Sequence, residues 1–460
     1  MASSLGTTSE HDKIRRRWAV IPAVKASAAT RLNLRIAAAC IALSALAGCV
    51  SSATAPPSTT VNEEQQYATV YPYYAEICAL SQLGKLPGFG ADISSGFGGH
   101  AVLYLNRVCR RQDSAYPVLQ MCNEQGNASS ADGVGLSVNA HYQNAEWVAV
   151  EGRDFFFNGG LKADEPLSRD TYRRVLGTAQ SKRIYDGVTF HDEVYDGMPP
   201  GFTRQSFQYE VSVATDYAIK FGRNKFCARV PLGRPQMVRI IDYLNALNAP
   251  YQSGKEKFDW NLFTHNCSHI NHNALAAADL WEEWPTDRFI LISLLDFPVP
   301  KNEFVNTMLR TNDMPIADLE AVFDDRPARR LLLEEGRLPT APGAIADLDT
   351  IAKPNEVYDT QSRIIFYDDP ITGSYQRRFN AILTEPRYFR LRDNLGYFAQ
   401  LYERIGREKK PLDWYLDRRK GMSEQEQGEF KIFYGKYYDY VGRQSLAVAQ
   451  QIALIDATRR

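Results

Sequence analysis

Residues 36–48 read IAAACIALSALAG, and this apolar run of thirteen residues restricts the chain more than any other segment. As a helix it would rise about 20 Å, short of the roughly 30 Å hydrocarbon core of a bilayer. Arg31 and Arg35 precede it, which is the charge pattern of a secretory signal with its apolar middle region. The stretch that follows, VSSATAPPSTTVNEEQQ, has no apolar periodicity and reads as a tether, which a buried helix opening a cytosolic domain would not need. The chain is therefore expected to be exported, into a compartment where disulfides persist.

The run ends in Leu46-Ala47-Gly48-Cys49, which resembles the bacterial lipobox, where small residues precede a cysteine that receives diacylglycerol before cleavage. Residues 1–48 are then a signal peptide, Cys49 carries the lipid, and 49–66 form a flexible tether. The expected partner is membrane lipid, reached through a diacylglyceryl anchor. Val50 is not the aspartate associated with inner-membrane retention in some bacteria, so the expected location is the periplasmic face of the outer membrane in the cell envelope. The basic stretch with Arg15, Arg16, Arg17 and Lys25 is longer than such signals need, and a true start at Val20 or Val24 would account for it.

Charge agrees with a lipid anchor. The whole chain has 53 Lys and Arg against 54 Asp and Glu. Removing residues 1–48 deletes seven basic and two acidic groups, leaving 46 and 52, a net of -6. No general attraction to nucleic acid follows. Two acyl chains hold such a domain without a polybasic patch.

With 44% apolar and 12% aromatic residues the mature chain can build a packed core. Residues 67–84 read as a strand-helix lead-in, and HAVLYL after a glycine pair as a strand. A second strand is expected over 133–142, where Val134, Leu136, Val138 and Ala140 alternate with Ser137, Asn139 and His141, then a third at WVAVEG. The polar stretch 160–205 reads as an insertion or long loop, and KFCARVPL as a further strand. Gly233-Arg234-Pro235 opens a helix with Val238, Ile241, Leu244 and Leu247 on its apolar side, and 266–281 form another. Residues 301–460 are expected to be mainly helical, ending in a helix near 423–457 with Phe430, Tyr434, Tyr437, Val441, Val448 and Ile452 on one stripe. The class is α+β: an antiparallel sheet with a cysteine-bearing helix over 67–300, then the helical C-terminal region.

Three of the seven histidines fall with a cysteine in Thr264-His265-Asn266-Cys267-Ser268-His269-Ile270-Asn271-His272. On a helix, at about 100° per residue, Cys267 and His269 point about 200° apart and His272 about 140° from the cysteine. They cannot all close on one ion; His269 with His272 could share a metal from one face, but no HExxH or paired CxxC pattern supports it, so no metal and no cofactor are expected. Cys267 instead shares a stripe with Ile270, Ala274, Ala278 and Trp281 at the first turn of its helix, where unpaired amides favour thiolate. A nucleophilic thiol needs a base, and His100, following Gly98-Gly99 at a strand start, is the candidate. The plainer alternative is a packed or disulfide-bonded Cys267 and a His100 that only caps a strand. Among seven cysteines, Cys40 leaves with the signal and Cys49 is lipidated. Cys78, Cys109, Cys122, Cys227 and Cys267 remain, an odd set that leaves one thiol free. If that is Cys267, the others have three connectivities, with Cys109 to Cys122 the shortest loop. Three lesser features have plainer readings. His191 among acidic residues is a solvated loop before it is a cation site, Arg326, Arg329 and Arg330 are a solvated face, and the tyrosine-rich stripe of the last helix is core before lipid contact.

The pairing of SGFGGHAVLYL with FDWNLFTHNCSHINHNAL resembles the Lnb-type N-terminal periplasmic domain. That domain belongs to the circularly permuted papain-like superfamily, with NlpC-type peptidases and lecithin–retinol acyltransferase. In permuted members a strand histidine comes first and a cysteine at a helix start later. The resemblance covers about residues 70–285. It implies Cys267 as nucleophile and His100 as base, with Asn139 and His141 as candidates for the polar residue that orients the histidine. It also implies acyl transfer or amide or ester hydrolysis through a thioester, on a lipid, lipoprotein or peptidoglycan substrate. A non-catalytic envelope lipoprotein using the fold for binding or assembly is the other class.

Overall fold

The computed structural model describes residues 61–87, 99–122, 133–162, 164–261, 265–284, 299–361, 366 and 374–458. The expected signal run, Cys49 and the first part of the tether lie outside the described residues. The strands are β1 (Tyr74–Leu80), β2 (His100–Asn106), β3 (Val108–Arg110), β4 (Leu119–Met121), β5 (Gly133–Ser137), β6 (Val148–Glu151), β7 (Lys225–Pro231) and β8 (Ile345–Asp349). Six form one antiparallel sheet in the order β6-β5-β2-β1-β7-β8, and β3 pairs with β4 as a separate hairpin. The helices are α1 (Val61–Val70), α2 (Arg153–Asn158), α3 (Arg169–Ser181), α4 (Arg204–Ser212), α5 (Arg234–Gln252), α6 (Cys267–Ala277) and α7 (Pro300–Asn312). After them come α8 (Leu319–Asp324), α9 (Arg326–Glu335), α10 (Tyr375–Thr384), α11 (Leu391–Arg407), α12 (Leu412–Arg418) and α13 (Glu424–Thr458). The α+β class, the antiparallel sheet and the helical C-terminal region are as expected. Among the described residues no helix is long and apolar enough to cross a membrane.

Strand alternation sorts the sheet into two unlike faces. Ala101, Leu103, Ile77, Leu136, Phe226 and Ala228 share one, on which Phe226 meets Phe379 of α10 and Phe379 meets Phe304 of α7. Helix α6 packs on β2 and touches α7. The opposite face carries His100, Tyr104, Glu76, Lys225, Arg229 and Asp347. Gly135 lies there directly beneath the Phe156 ring of α2, where a Cβ would collide with the ring.

That second face buries charge. Asp347 accepts from Lys225 at 2.7 Å, Arg153 at 2.9 Å and Arg229 at 3.1 Å. Glu76 accepts from Arg229 at 2.6 Å and from Arg153 at 3.1 Å. Burial alone would raise both carboxyls, but the surrounding cations hold both below the ordinary carboxylate range. Disulfides join Cys78 to Cys227, at directly paired positions of β1 and β7, and Cys109 to Cys122 beside the β3–β4 hairpin. Cys267 keeps a free thiol.

Several local expectations change. A helix precedes the first strand, reversing the expected lead-in, and it takes residues 61–66 out of the flexible tether. Tyr67 is buried against Arg229, and Glu64 pairs with Arg153, so α1 closes over the charged face. Residues 160–205 are not one long loop: α3 starts with a capping box between Ser168 and Thr171 and buries Tyr172, Val175 and Ala179. Helix α5 buries Met237, Ile240, Ile241, Leu244 and Asn248, because a three-residue repeat drifts around a helix of 3.6 residues per turn. β5 stops at Ser137. Strand β8, in a region expected to be helical, extends the sheet beyond β7.

Candidate active site

Two chain segments converge on the end of the sheet where β1 finishes and β2 begins. Asn266 is the N-cap of α6, and its side chain accepts from the amides of Ser268 at 2.8 Å and His269 at 3.2 Å. Cys267 is thereby fixed as the first helical residue, 8% exposed. The Ala101 amide, one residue beyond the last β2–β5 pairing at Val102 and Ser137, is among the groups that favour its thiolate. Burial pushes the thiol up, while the Ala101, Cys267 and Ser268 amides and the Arg223 charge pull the other way.

His100 precedes that amide. Its Nε2 lies 3.0 Å from Ser137 Oγ, and Ser137 donates onward to Asp216 Oδ1 at 2.7 Å. With the hydroxyl proton directed to Asp216, Ser137 accepts from Nε2–H, which leaves the lone pair on Nδ1. Asp216 is fully buried, and Tyr142 and Tyr185 donate to its other oxygen. Burial and then the Arg223 charge lower the His100 imidazole to about 3, the Thr215 carbonyl offsetting them in part. The ring is therefore neutral at neutral pH.

The turn that presents Asp216 is strained. Ala214 and Ala218 have φ of 60° and 51°, unfavourable for residues with a Cβ. Arg223, 2% exposed, braces it by donating from Nε to the Ala214 carbonyl and from Nη1 to that of Ser81, each at 2.7 Å. One guanidinium thus ties this turn to the end of β1 and charges the surroundings of both Cys267 and His100.

Cys267 and His100 come to the same strand end, but among the described residues no hydrogen bond joins them; the ring is turned to Ser137. Asn139 lies one step further out, 3.4 Å from Asp216. His141 has no contact with His100: its ring packs 6.1 Å from that of Phe190, and its Nδ1 has no hydrogen-bond partner among the described residues. Ser137 was within reach of sequence reasoning, since it shares the alternating face with Asn139 and His141. Asp216 and Arg223 sit in an aperiodic stretch that carries no such signal.

The other histidines of the cluster have different settings. His272 lies flat against Trp281 and Trp284, with centroid distances of 4.4 and 3.8 Å. Its Nδ1 is 2.8 Å from Glu303 and its Nε2 is 3.0 Å from the Glu282 carbonyl. His269 meets Trp284 edge-on. His191 places Nε2 3.0 Å from the Phe258 carbonyl. The one close grouping of metal-type ligands among the described residues, Glu76 with Cys78 and Cys227, has both sulfurs in a disulfide.

Comparisons with protein-family models, curated proteins and solved structures find no match for this chain.

Proposed function

We propose that this chain is an envelope lipoprotein, tethered through Cys49, whose Cys267 performs acyl transfer or hydrolysis on an ester or amide. The observation that carries the reading is the free thiol at the start of α6, at the strand end that His100 opens and under the influence of the Ala101 amide and the Arg223 charge, with His100 held by Ser137 and Asp216. The resting pair is neutral thiol and neutral imidazole, so the proton leaves sulfur as the carbon–sulfur bond forms. His100 Nδ1 takes that proton once the ring meets the thiol, and the tetrahedral oxyanion is stabilised by nearby amides and the Arg223 charge. Collapse breaks the bond to the leaving alcohol or amine, which receives the proton from His100. A thioester remains on Cys267, and water or an amine resolves it. Membrane tethering suits a lipid or lipoprotein substrate, or peptidoglycan.

The buried thiol and the absence of a Cys267–His100 hydrogen bond favour the second reading, a binding or assembly lipoprotein. Mass spectrometry of envelope lipids and wall fragments incubated with wild type and with Cys267→Ala decides between them. The catalytic reading expects products with wild type only. Identical spectra from the two proteins support the binding reading.

A further inference from the structure

Lys301, in the first turn of α7, is 0% exposed, and its Nζ has no hydrogen-bond partner among the described residues. It stands 3.4 Å from the point that a Cβ on Gly99 would occupy, next to His100. Arg223 is close enough to act electrostatically on Lys301, His100 and Cys267 alike. Lys301, against Gly99, and Arg223, whose Nη1 donates to Ser81, thus both come to the strand end that holds His100. The nearby carboxylate of Asp216 is already taken by Ser137, Tyr142 and Tyr185. Burial, with Arg223 beside it, brings the Lys301 ammonium down to about 7, and burial brings Arg223 down to about 10. A buried ammonium with no hydrogen-bond partner among the described residues is costly, and an incoming anion removes that cost.

Donor counting narrows the anion. Three of the five Arg223 N–H groups go to Ala214, Ser81 and Thr215, leaving two, and Lys301 adds three. With Lys301 taking up its proton as the anion binds, five donors exceed the roughly four acceptor positions of a carboxylate and suit a phosphate. We propose that Lys301 and Arg223 form a phosphate-binding subsite beside Cys267, filled by a phosphate group of the substrate or by the free ion. The subsite deepens the acyl-transfer reading, but its occupancy does not depend on Cys267 chemistry. Cys267 and His100 are also nearly covered, at 8% and 7% exposure, so a substrate has to uncover the thiol and the subsite alike.

The test is calorimetric titration of the full chain carrying Cys267→Ala, which binds without turnover. The probes are dihexanoylphosphatidylglycerol below its micellar concentration, inorganic phosphate, dihexanoylglycerol and acetate. The phospholipid is expected to bind, and Lys301→Met to weaken it about tenfold or more. Competition by inorganic phosphate identifies the charged group as the ligand, and binding of inorganic phosphate without the phospholipid assigns the site to the free ion. Lys301→Met is close in volume and removes a buried unpaired charge, so folding should survive; Lys301→Gln is the second variant. The subsite is overturned if neither phosphate probe binds, or if both variants fold and bind like the parent. It is equally overturned if dihexanoylglycerol binds as tightly as the phospholipid, or acetate more tightly than phosphate. Failure of the subsite leaves acylation of Cys267 intact, whereas failure of the nucleophile leaves this binding intact.

Discussion

Replacing Asp347 by alanine is expected to cost the fold about 3–5 kcal/mol, the range for breaking a buried ion cluster by removing one partner. Asp347 sits on β8 and is the carboxylate on which Lys225, Arg153 and Arg229 all converge. Without it Lys225, 3% exposed, loses the one carboxylate it pairs with among the described residues and keeps the Phe157 ring, 4.8 Å from its ammonium. The double variant Asp347→Ala with Lys225→Met should lose less than the sum of the single losses, because the stranded charge goes with its partner. Denaturant melts of the three variants measure this. A loss below about 1 kcal/mol in the single variant would show that the cluster relaxes or admits water.

The same cluster sets an acid limit. Because Asp347 and Glu76 are held below their unfolded values, they contribute stability that is fully present above about pH 5. That contribution is lost as the pH falls through the folded values. Stability should therefore decline between about pH 5 and pH 2, and Asp347→Ala should decline less steeply.

Replacing His100 by alanine is expected to lower turnover about 10²- to 10⁴-fold, the usual contribution of a positioned general base. Ser137→Ala should cost less, because it removes the acceptor at Nε2 but leaves the imidazole. The two differ in pH dependence. Ser137→Ala lets the ring take either tautomer, so its rate loss should be uniform across the neutral range. His100→Ala should make the rate rise with pH, following the thiol, which burial pushes up. Rates from pH 6 to 9 for both variants check this, and a His100→Ala rate equal to wild type contradicts the assigned role.

Sequence reasoning reached what repeats locally. The strands at HAVLYL and KFCARVPL, the start of α6 at Cys267 and the helix ending the chain all carry period-two or helical patterns that survive folding. The losses are where partners are distant. Ile345–Asp349 lies in a charge-dense stretch that reads as helical, and nothing local marks Asp347 as the carboxylate that Lys225, Arg153 and Arg229 surround. Alternation that runs on to residue 142 points to Asn139 or His141 for the third polar position. β5 ends at Ser137, so Ser137 meets His100 while Asn139 turns to Asp216. Asp216, Arg223 and Lys301 lie 116, 123 and 201 residues from His100 in sequence, and nothing local marks them. The two disulfides lie within the three connectivities that counting allowed, and only the sheet register shows why Cys78 reaches Cys227.

The central claim is that Cys267 is an acylating nucleophile, and intact-protein mass spectrometry after brief exposure to a p-nitrophenyl ester tests it most directly. The account predicts one acyl adduct, mapped by peptide analysis to Cys267, released by neutral hydroxylamine as a thioester is, and absent from Cys267→Ala. No adduct on wild type, or an equal adduct on Cys267→Ala, would contradict it.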